Sequence, residues 1–150
     1  MVDREVELIY SKLGGELKDF KKFEGEVDVG YRIVYEKKIE DVDVKFFGLV
    51  SGDLNPVHFD DSFASKTRFG GRVVHGMLTT SLVSAAVARI PGTIVLLENF
   101  FKYTSPVRPG DLVKVEGVVV EKDRNRFKID VKCLVKDKVV AEGYVKILIW

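Results

Sequence analysis

A chain of 150 residues, 46% of them apolar, fits one domain with one core and leaves little room for two. Lys and Arg number 24 against 23 acidic residues, and a formal charge of +1 excludes a global field for nucleic acid or an anionic membrane, so any anion must be held locally. Cys133, the single cysteine, excludes an internal disulfide and has no companion thiol for zinc, which favours a reducing compartment, with the cytoplasm as default.

The first residues, Met1 to Glu7, alternate charged and apolar side chains and offer no signal-peptide core. No later stretch approaches the roughly 18 uncharged apolar residues of a membrane span. Val6, Ile9, Tyr10 and Leu13 recur at helical spacing, and Gly14-Gly15 supplies a stop, so a short amphipathic helix is expected. Leu17, Phe20 and Phe23 continue either as helix or as an extended arm. Residues 1–30 together read as an N-terminal extension, and residues 31–150 as the domain proper.

Tyr31 to Lys38 has strand composition. Asp41 is placed to cap a helix in which Phe46, Leu49 and Val50 share a face, with Gly52 as left-handed terminator. Asn55-Pro56 is turn chemistry, and Asp60 or Asp61 caps a second short helix through Phe63 and Ala64. From Gly76 to Ile90 apolar or small residues occupy all faces, which predicts a helix buried on nearly every side and ended by Pro91-Gly92. Four strands follow, about Thr93 to Thr104, Leu112 to Glu121, Phe127 to Val135 and Val139 to Ile149, with turns too short for parallel crossovers. Phe127, Ile129, Val131, Cys133 and Val135 alternate with charged residues, which makes Cys133 a core filler. The pattern gives an α+β fold, one antiparallel sheet wrapped around a long helix.

Asp53 and His58 stand five positions apart across the proline turn of Asp53-Leu54-Asn55-Pro56-Val57-His58. Adding water to a conjugated thioester needs a base to deprotonate it as its oxygen attacks C3 and an acid to protonate C2, and a carboxylate and imidazole sharing one water supply both. The same spacing equally fits Asp53 as a turn cap and His58 as a structural histidine. His75-Gly76-Met77 opens the buried helix, where unpaired amides and the helix dipole suit a developing enolate oxygen. Gly76 serves either to admit a thioester carbonyl to its N–H or only to permit tight packing. Thr80 and Ser84 follow at intervals of four, either positioning water or substrate or bonding the carbonyl one turn back. With two histidines, one cysteine and no H-E-x-x-H, the chain has too few ligands for a transition-metal site. G-x-S-x-G and nucleotide-binding glycine loops are absent. Arg68, Arg72, Lys102 and Arg108 either meet coenzyme A phosphates or are solvated.

The runs Ser51-Gly52-Asp53-Leu54-Asn55-Pro56-Val57-His58-Phe59-Asp60 and His75-Gly76-Met77-Leu78, with Pro106-Val107 and Pro109-Gly110-Asp111 further on, resemble the MaoC-like (R)-specific enoyl-CoA hydratases and dehydratases. The resemblance runs from about Tyr31 to the C-terminus. It implies a hot-dog fold, a homodimer or higher homo-oligomer with the substrate tunnel at or near the subunit interface, and reversible hydration of trans-2-enoyl thioesters to (3R)-hydroxyacyl thioesters. In that pattern Asp53 and His58 match the catalytic dyad, Gly76 the oxyanion donor and Ser84 a further active-site serine. Asn55 shapes the loop, and His75 and Thr80 remain candidates for substrate binding or positioning. No metal or redox cofactor is expected, the partner being a coenzyme A or acyl carrier protein thioester. A hot-dog thioesterase, expected to carry its acid on the central helix, and a non-catalytic acyl-thioester binding module are the rivals. The N-terminal thirty residues depart from compact members of the family, with covering the tunnel or contacting a partner subunit as candidate roles.

Overall fold

A computed structural model describes residues 2–150, so Met1 of the N-terminal extension lies outside the described residues. The elements in order are α1 (Arg4–Lys12), β1 (Arg32–Lys38), α2 (Asp41–Ser51), a 3₁₀ turn (Pro56–His58), α3 (Asp61–Ser65), α4 (Gly76–Ala88), β2 (Ile94–Tyr103), β3 (Leu112–Asp123), β4 (Arg126–Val135) and β5 (Lys138–Ile149). None of the helices is long and apolar enough to cross a membrane among the described residues.

All five strands pair antiparallel in the order β1-β3-β4-β5-β2. The β4–β5 hairpin turns on Lys136-Asp137, both at positive φ (49° and 64°), which matches the right-handed twist of the strands it joins. The inward side chains of β4, Phe127, Ile129, Val131 and Cys133, pack in one core with Leu78, Leu82, Val83, Ala86 and Val87 of α4. This is the antiparallel sheet around a helix expected from the pattern, and the hot-dog fold that the resemblance implies. Burial also pushes the Cys133 thiol up to about 11, as suits a core filler.

Two local expectations need correction, the cap of α2 and the burial of α4. Glu40 is the N-cap of α2, and the Asp43 carboxylate accepts the Glu40 N–H at 2.8 Å, so Asp41 is the first helical residue and pairs instead with Arg72 and Lys45. Phe46, Leu49 and Val50 do share a face, and it is the outward one, because α2 carries two apolar stripes and packs through the other, Val44, Phe47 and Gly48. On α4, Gly76, Met77, Ser81 and Ser84 are exposed. Apart from Met77, its large apolar side chains point into the core, and the flank carrying Met77 and the small residues stays open.

The chain after α1 is extended, with Gly14 turning it at φ 95°. This arm runs along β1 to the C-terminal end of α4. Glu16 accepts the Lys38 N–H at 2.7 Å, and Lys37 Nζ donates to the Tyr10 hydroxyl (2.8 Å) and the Glu16 carbonyl (2.5 Å). Arg89 donates to the Asp19 carbonyl (2.8 Å) and lies over the rings of Tyr35 and Phe20. Lys22 Nζ donates to the carbonyls of Ala88, Ile90 and Gly92 at 2.6, 2.9 and 2.9 Å, placing a cation on the negative end of the α4 dipole. The apolar stripe of α1, Val6, Ile9 and Leu13, remains exposed.

Lys22→Met keeps the aliphatic stem and removes three charge-assisted bonds. The expected loss is about 1–2 kcal/mol of stability, read as a lower urea midpoint at unchanged slope. An unchanged midpoint would show that the ammonium adds nothing.

Candidate active site

Gly52, at φ 80°, ends α2 and turns the chain so that Asp53 opens the next loop. Asp53 Oδ1 accepts the Asn55 N–H at 3.2 Å, and Asn55 Oδ1 in turn accepts the Val57 N–H at 3.4 Å, which starts the 3₁₀ turn carrying His58. Asp53 Oδ2 is left free to face His58 Nε2, 3.8 Å away. Cap and candidate acid are therefore two oxygens of one carboxylate.

His58 divides its ring in the same way. Nδ1 lies 2.7 Å from the carbonyl of Val73, and because a carbonyl only accepts, Nδ1 carries the proton. Neutral His58 then presents an Nε2 lone pair toward Asp53. The imidazole is largely buried, its side chain 11% exposed, while Asp53 is half exposed at 51%. A water within hydrogen-bonding reach of both Oδ2 and Nε2 meets two acceptors, one per proton.

The loop that supplies the Val73 carbonyl is clamped. Val73 N–H bonds the Val57 carbonyl (3.2 Å) and Val74 N–H the Val107 carbonyl (2.7 Å). Arg72 Nε donates to the His58 carbonyl at 2.8 Å while its terminal nitrogen pairs with Asp41, whose carboxyl Arg72 and then Lys45 hold below the ordinary 3.8. Arg108 donates to the Gly71 carbonyl (2.8 Å) and also to that of Phe69. Arg72 and Arg108, candidates for a phosphate from sequence, are spent on this loop.

His75 is the N-cap of α4, yet its side chain makes no cap bond. Its ring stacks on His58 with centroids 3.7 Å apart, and Nε2 donates to the Asp53 carbonyl at 3.0 Å. It therefore braces both members of the pair. Nδ1 of His75 and the hydroxyl of Thr79 are buried without a partner. Burial, joined by His58, holds His75 below its ordinary 6.5, against an upward pull from the Asp53 carbonyl.

Next to His75, the first-turn amides of α4 have no side-chain cap, and Gly76 borders a cavity of about 470 Å³ with Asn55, His58, Thr79, Tyr103 and Val107. Of the two roles weighed for Gly76, close packing finds support, since a Cβ here would stand 2.9 Å from Tyr103 Cε1 and the ring would have to shift. Thr80 Oγ1 lies 3.1 Å from the Tyr103 hydroxyl and 3.4 Å from the Gly76 and Met77 carbonyls. Ser84 is exposed beside a separate cavity and makes no side-chain hydrogen bond among the described residues. Tyr103 has no signature in the sequence, because its contact with Gly76 spans 27 positions and forms only when β2 docks beside α4. A larger hollow of about 600 Å³ lies over the sheet among Arg32, Glu116, Asp130 and Lys132, far from this chemistry.

Asp53, His58 and His75 bring ligand-type atoms within 4.8 Å of one another. The set does not fit a metal ion. Lone pairs lie in the ring plane, so stacked imidazoles aim them side by side, and His75 has Nε2 committed as a donor and Nδ1 sealed in protein.

Sheet, helix and helix-tip cavity define a hot-dog domain with an acid and an imidazole at the N-terminus of its central helix. The chain belongs to the MaoC-like dehydratase family, whose model, described as a MaoC like domain, matches residues 22–142. It is 37% identical over 122 residues to a 3-hydroxybutyryl-CoA dehydratase from Methylorubrum extorquens, covering 79% of this chain and 78% of that protein. A crystal structure of a protein from Archaeoglobus fulgidus is 71% identical, with a TM-score of 0.96 over 97% of this chain and 94% of that one. An unliganded R-hydratase from Pseudomonas aeruginosa is 38% identical, with a TM-score of 0.77 over 83% of each chain.

The depressed His75 pKa has a measurable consequence. Above 6.5 His75 is neutral whether folded or unfolded, and on acidification the unfolded chain takes up the proton first, so stability falls from pH 6.5 down to the lowered folded value. The melting temperature of the wild type is expected to drop over that window more steeply than that of His75→Gln. Parallel curves would show that His75 titrates normally.

Proposed function

We propose that the chain is a hydro-lyase that reversibly hydrates trans-2-enoyl thioesters of coenzyme A or acyl carrier protein to (3R)-3-hydroxyacyl thioesters. The observation that carries this reading is the 3.8 Å approach of His58 Nε2 to Asp53 Oδ2 beside an uncapped helix tip. With the thioester carbonyl on the Gly76 N–H, the enolate oxygen that develops as water adds is met by an amide at the positive end of α4. Asp53 and His58 hold the water. One of the pair removes its proton as the oxygen bonds to C3, and the proton is returned to C2. Because the acceptors share one water, hydroxyl and proton arrive on the same face, and the addition is syn. Nothing in the step needs a metal or redox group. Asn55 shapes the loop, His75 positions both members of the pair, and Thr80 and Ser84 line the path of the substrate along α4.

The family supports thioester hydration broadly, and relatives named as a 3-hydroxybutyryl-CoA dehydratase and an (R)-specific enoyl-CoA hydratase support the direction of this reading. The segment Gly76–Ala88 contains no Asp or Glu, which disfavours the thioesterase alternative.

Asp53→Asn and His58→Ala are each expected to lower kcat for crotonyl-CoA hydration by about 10²- to 10⁴-fold with the circular dichroism spectrum unchanged. Retained turnover in either variant would remove that residue from the mechanism. Tight thioester binding without turnover by the wild type would instead favour a binding module.

We also propose a homodimer paired through β2. The sheet ends at β1 and β2, and the N-terminal arm covers β1 while β2 presents a bare edge with exposed Leu96, Leu97 and Phe100. An uncovered ten-residue edge strand is a template for pairing. Sedimentation equilibrium is expected to give twice the 16.9 kDa chain mass, with Leu96→Lys shifting the balance toward monomer. A monomeric wild type would refute the pairing.

A further inference from the structure

Two polar atoms inside the molecule have no protein partner, Nδ1 of His75 and the hydroxyl oxygen of Thr79, and each residue is only 2% exposed. A buried polar group left unpaired is costly, so two of them together need a reason. They belong to residues one helical turn apart, since the Thr79 N–H bonds the His75 carbonyl at 3.1 Å and positions i and i+4 share a helix face. The next hydroxyls of α4 find backbone partners. Ser81 donates to the Leu78 carbonyl at 2.5 Å, and Thr80 has the Gly76 and Met77 carbonyls at 3.4 Å. Thr79 makes no such bond, although bonding the preceding turn is the ordinary habit of a helical threonine.

The two atoms are chemically complementary. The Asp53 carbonyl only accepts, so the His75 proton sits on Nε2 and Nδ1 is a bare acceptor. A hydroxyl has a proton to give. We propose that one buried water joins Thr79 Oγ1 to His75 Nδ1, and that through it Thr79 is a positioning residue for Asp53 and His58. The positioning role rests on the hydratase reading above, whereas the bridge itself does not. Buried waters occupy places where otherwise unsatisfied polar groups converge, and Thr79 borders the reactive cavity of about 470 Å³, which gives water a way in.

The water takes the hydroxyl proton of Thr79 in one hydrogen bond and donates to Nδ1 in the other. A donor at Nδ1 holds the ring in the tautomer that donates to the Asp53 carbonyl. The opposite tautomer would set an Nε2 lone pair against that carbonyl, releasing the start of the loop that carries Asp53 and loosening the ring stacked 3.7 Å from His58. The Val73 carbonyl selects the proton position of His58 in the same manner, with an acceptor in place of a donor. Both ends of the bridge lie inside one protomer, so a second copy paired on β2 leaves it unaltered.

Thr79→Val keeps the shape and removes the hydroxyl, while Thr79→Ser keeps the hydroxyl. The readings are melting temperature, the nitrogen-15 resonance of His75 Nδ1, and kcat and KM for crotonyl-CoA. Thr79→Val should lower the melting temperature, move the Nδ1 resonance toward that of a lone pair without a donor, and reduce kcat about tenfold or more with KM little changed. Thr79→Ser should return all three toward the wild type. A melting temperature raised by Thr79→Val would mark an unpaired hydroxyl and overturn the bridge, and so would an Nδ1 resonance that does not move. If Thr79→Val does not fold, the wild-type resonance decides, because an Nδ1 without a donor overturns the bridge. A moved resonance with kcat unchanged overturns the positioning role alone. A wild type that hydrates no enoyl thioester overturns the hydratase reading and the positioning role with it, while the resonance still decides the bridge.

Discussion

The site depends first on the bond from His58 Nδ1 to the carbonyl of Val73. It determines which ring nitrogen holds the proton, and so leaves a lone pair rather than an N–H opposite Asp53. A flipped tautomer would place a donor there and remove the second acceptor for water. The surrounding contacts hold this bond in place. Arg72 ties the loop to the His58 carbonyl, Arg108 ties it to the segment preceding β3, and the backbone pairs Val73–Val57 and Val74–Val107 set its height. Two buried or half-buried guanidiniums spent on backbone carbonyls are costly unless the geometry they hold matters.

The other face of the arrangement is α4. Its apolar side chains anchor it in the curl of the sheet, its C-terminal carbonyls are gathered by Lys22, and its N-terminal amides are left without a side-chain cap beside Asp53 and His58. One end of the helix is neutralised by the chain itself. The end left available is the one with anion-stabilising polarity. His75 joins the two halves, stacked on His58 and bonded to the Asp53 carbonyl, and burial lowers its own pKa.

Most of this fold was legible in the sequence, for reasons that can be traced. Strict alternation in β4 and short polar turns leave an antiparallel sheet as the economical arrangement, and a helix with apolar residues all round needs a sheet to cover it. Where the pattern is degenerate the structure departs from expectation. On α2 two apolar stripes compete, and only tertiary packing chooses Val44 and Phe47 over Phe46 and Leu49. On α4 small residues look apolar enough to bury but have too little surface to demand it, so Gly76, Ser81 and Ser84 lie open. At the site, spacing singles out Asp53 and His58 and the start of the buried helix singles out Gly76, while the choice between structural and chemical roles is not decidable from the sequence. The structure shows why, since one polar atom of each side chain holds the local fold while the other is left free toward its neighbour. Tyr103, the Val73 carbonyl and the N-terminal arm's grip on Arg89 depend on contacts between distant segments, to which local periodicity is blind.

The central claim is a protonation pattern, and it is directly observable. Nitrogen-15 NMR of the imidazole side chains at a pH where His58 is neutral should show its Nδ1 protonated and its Nε2 bare, with the converse pattern for His75. A neutral His58 protonated at Nε2 would put a donor where the account requires an acceptor, and would contradict it.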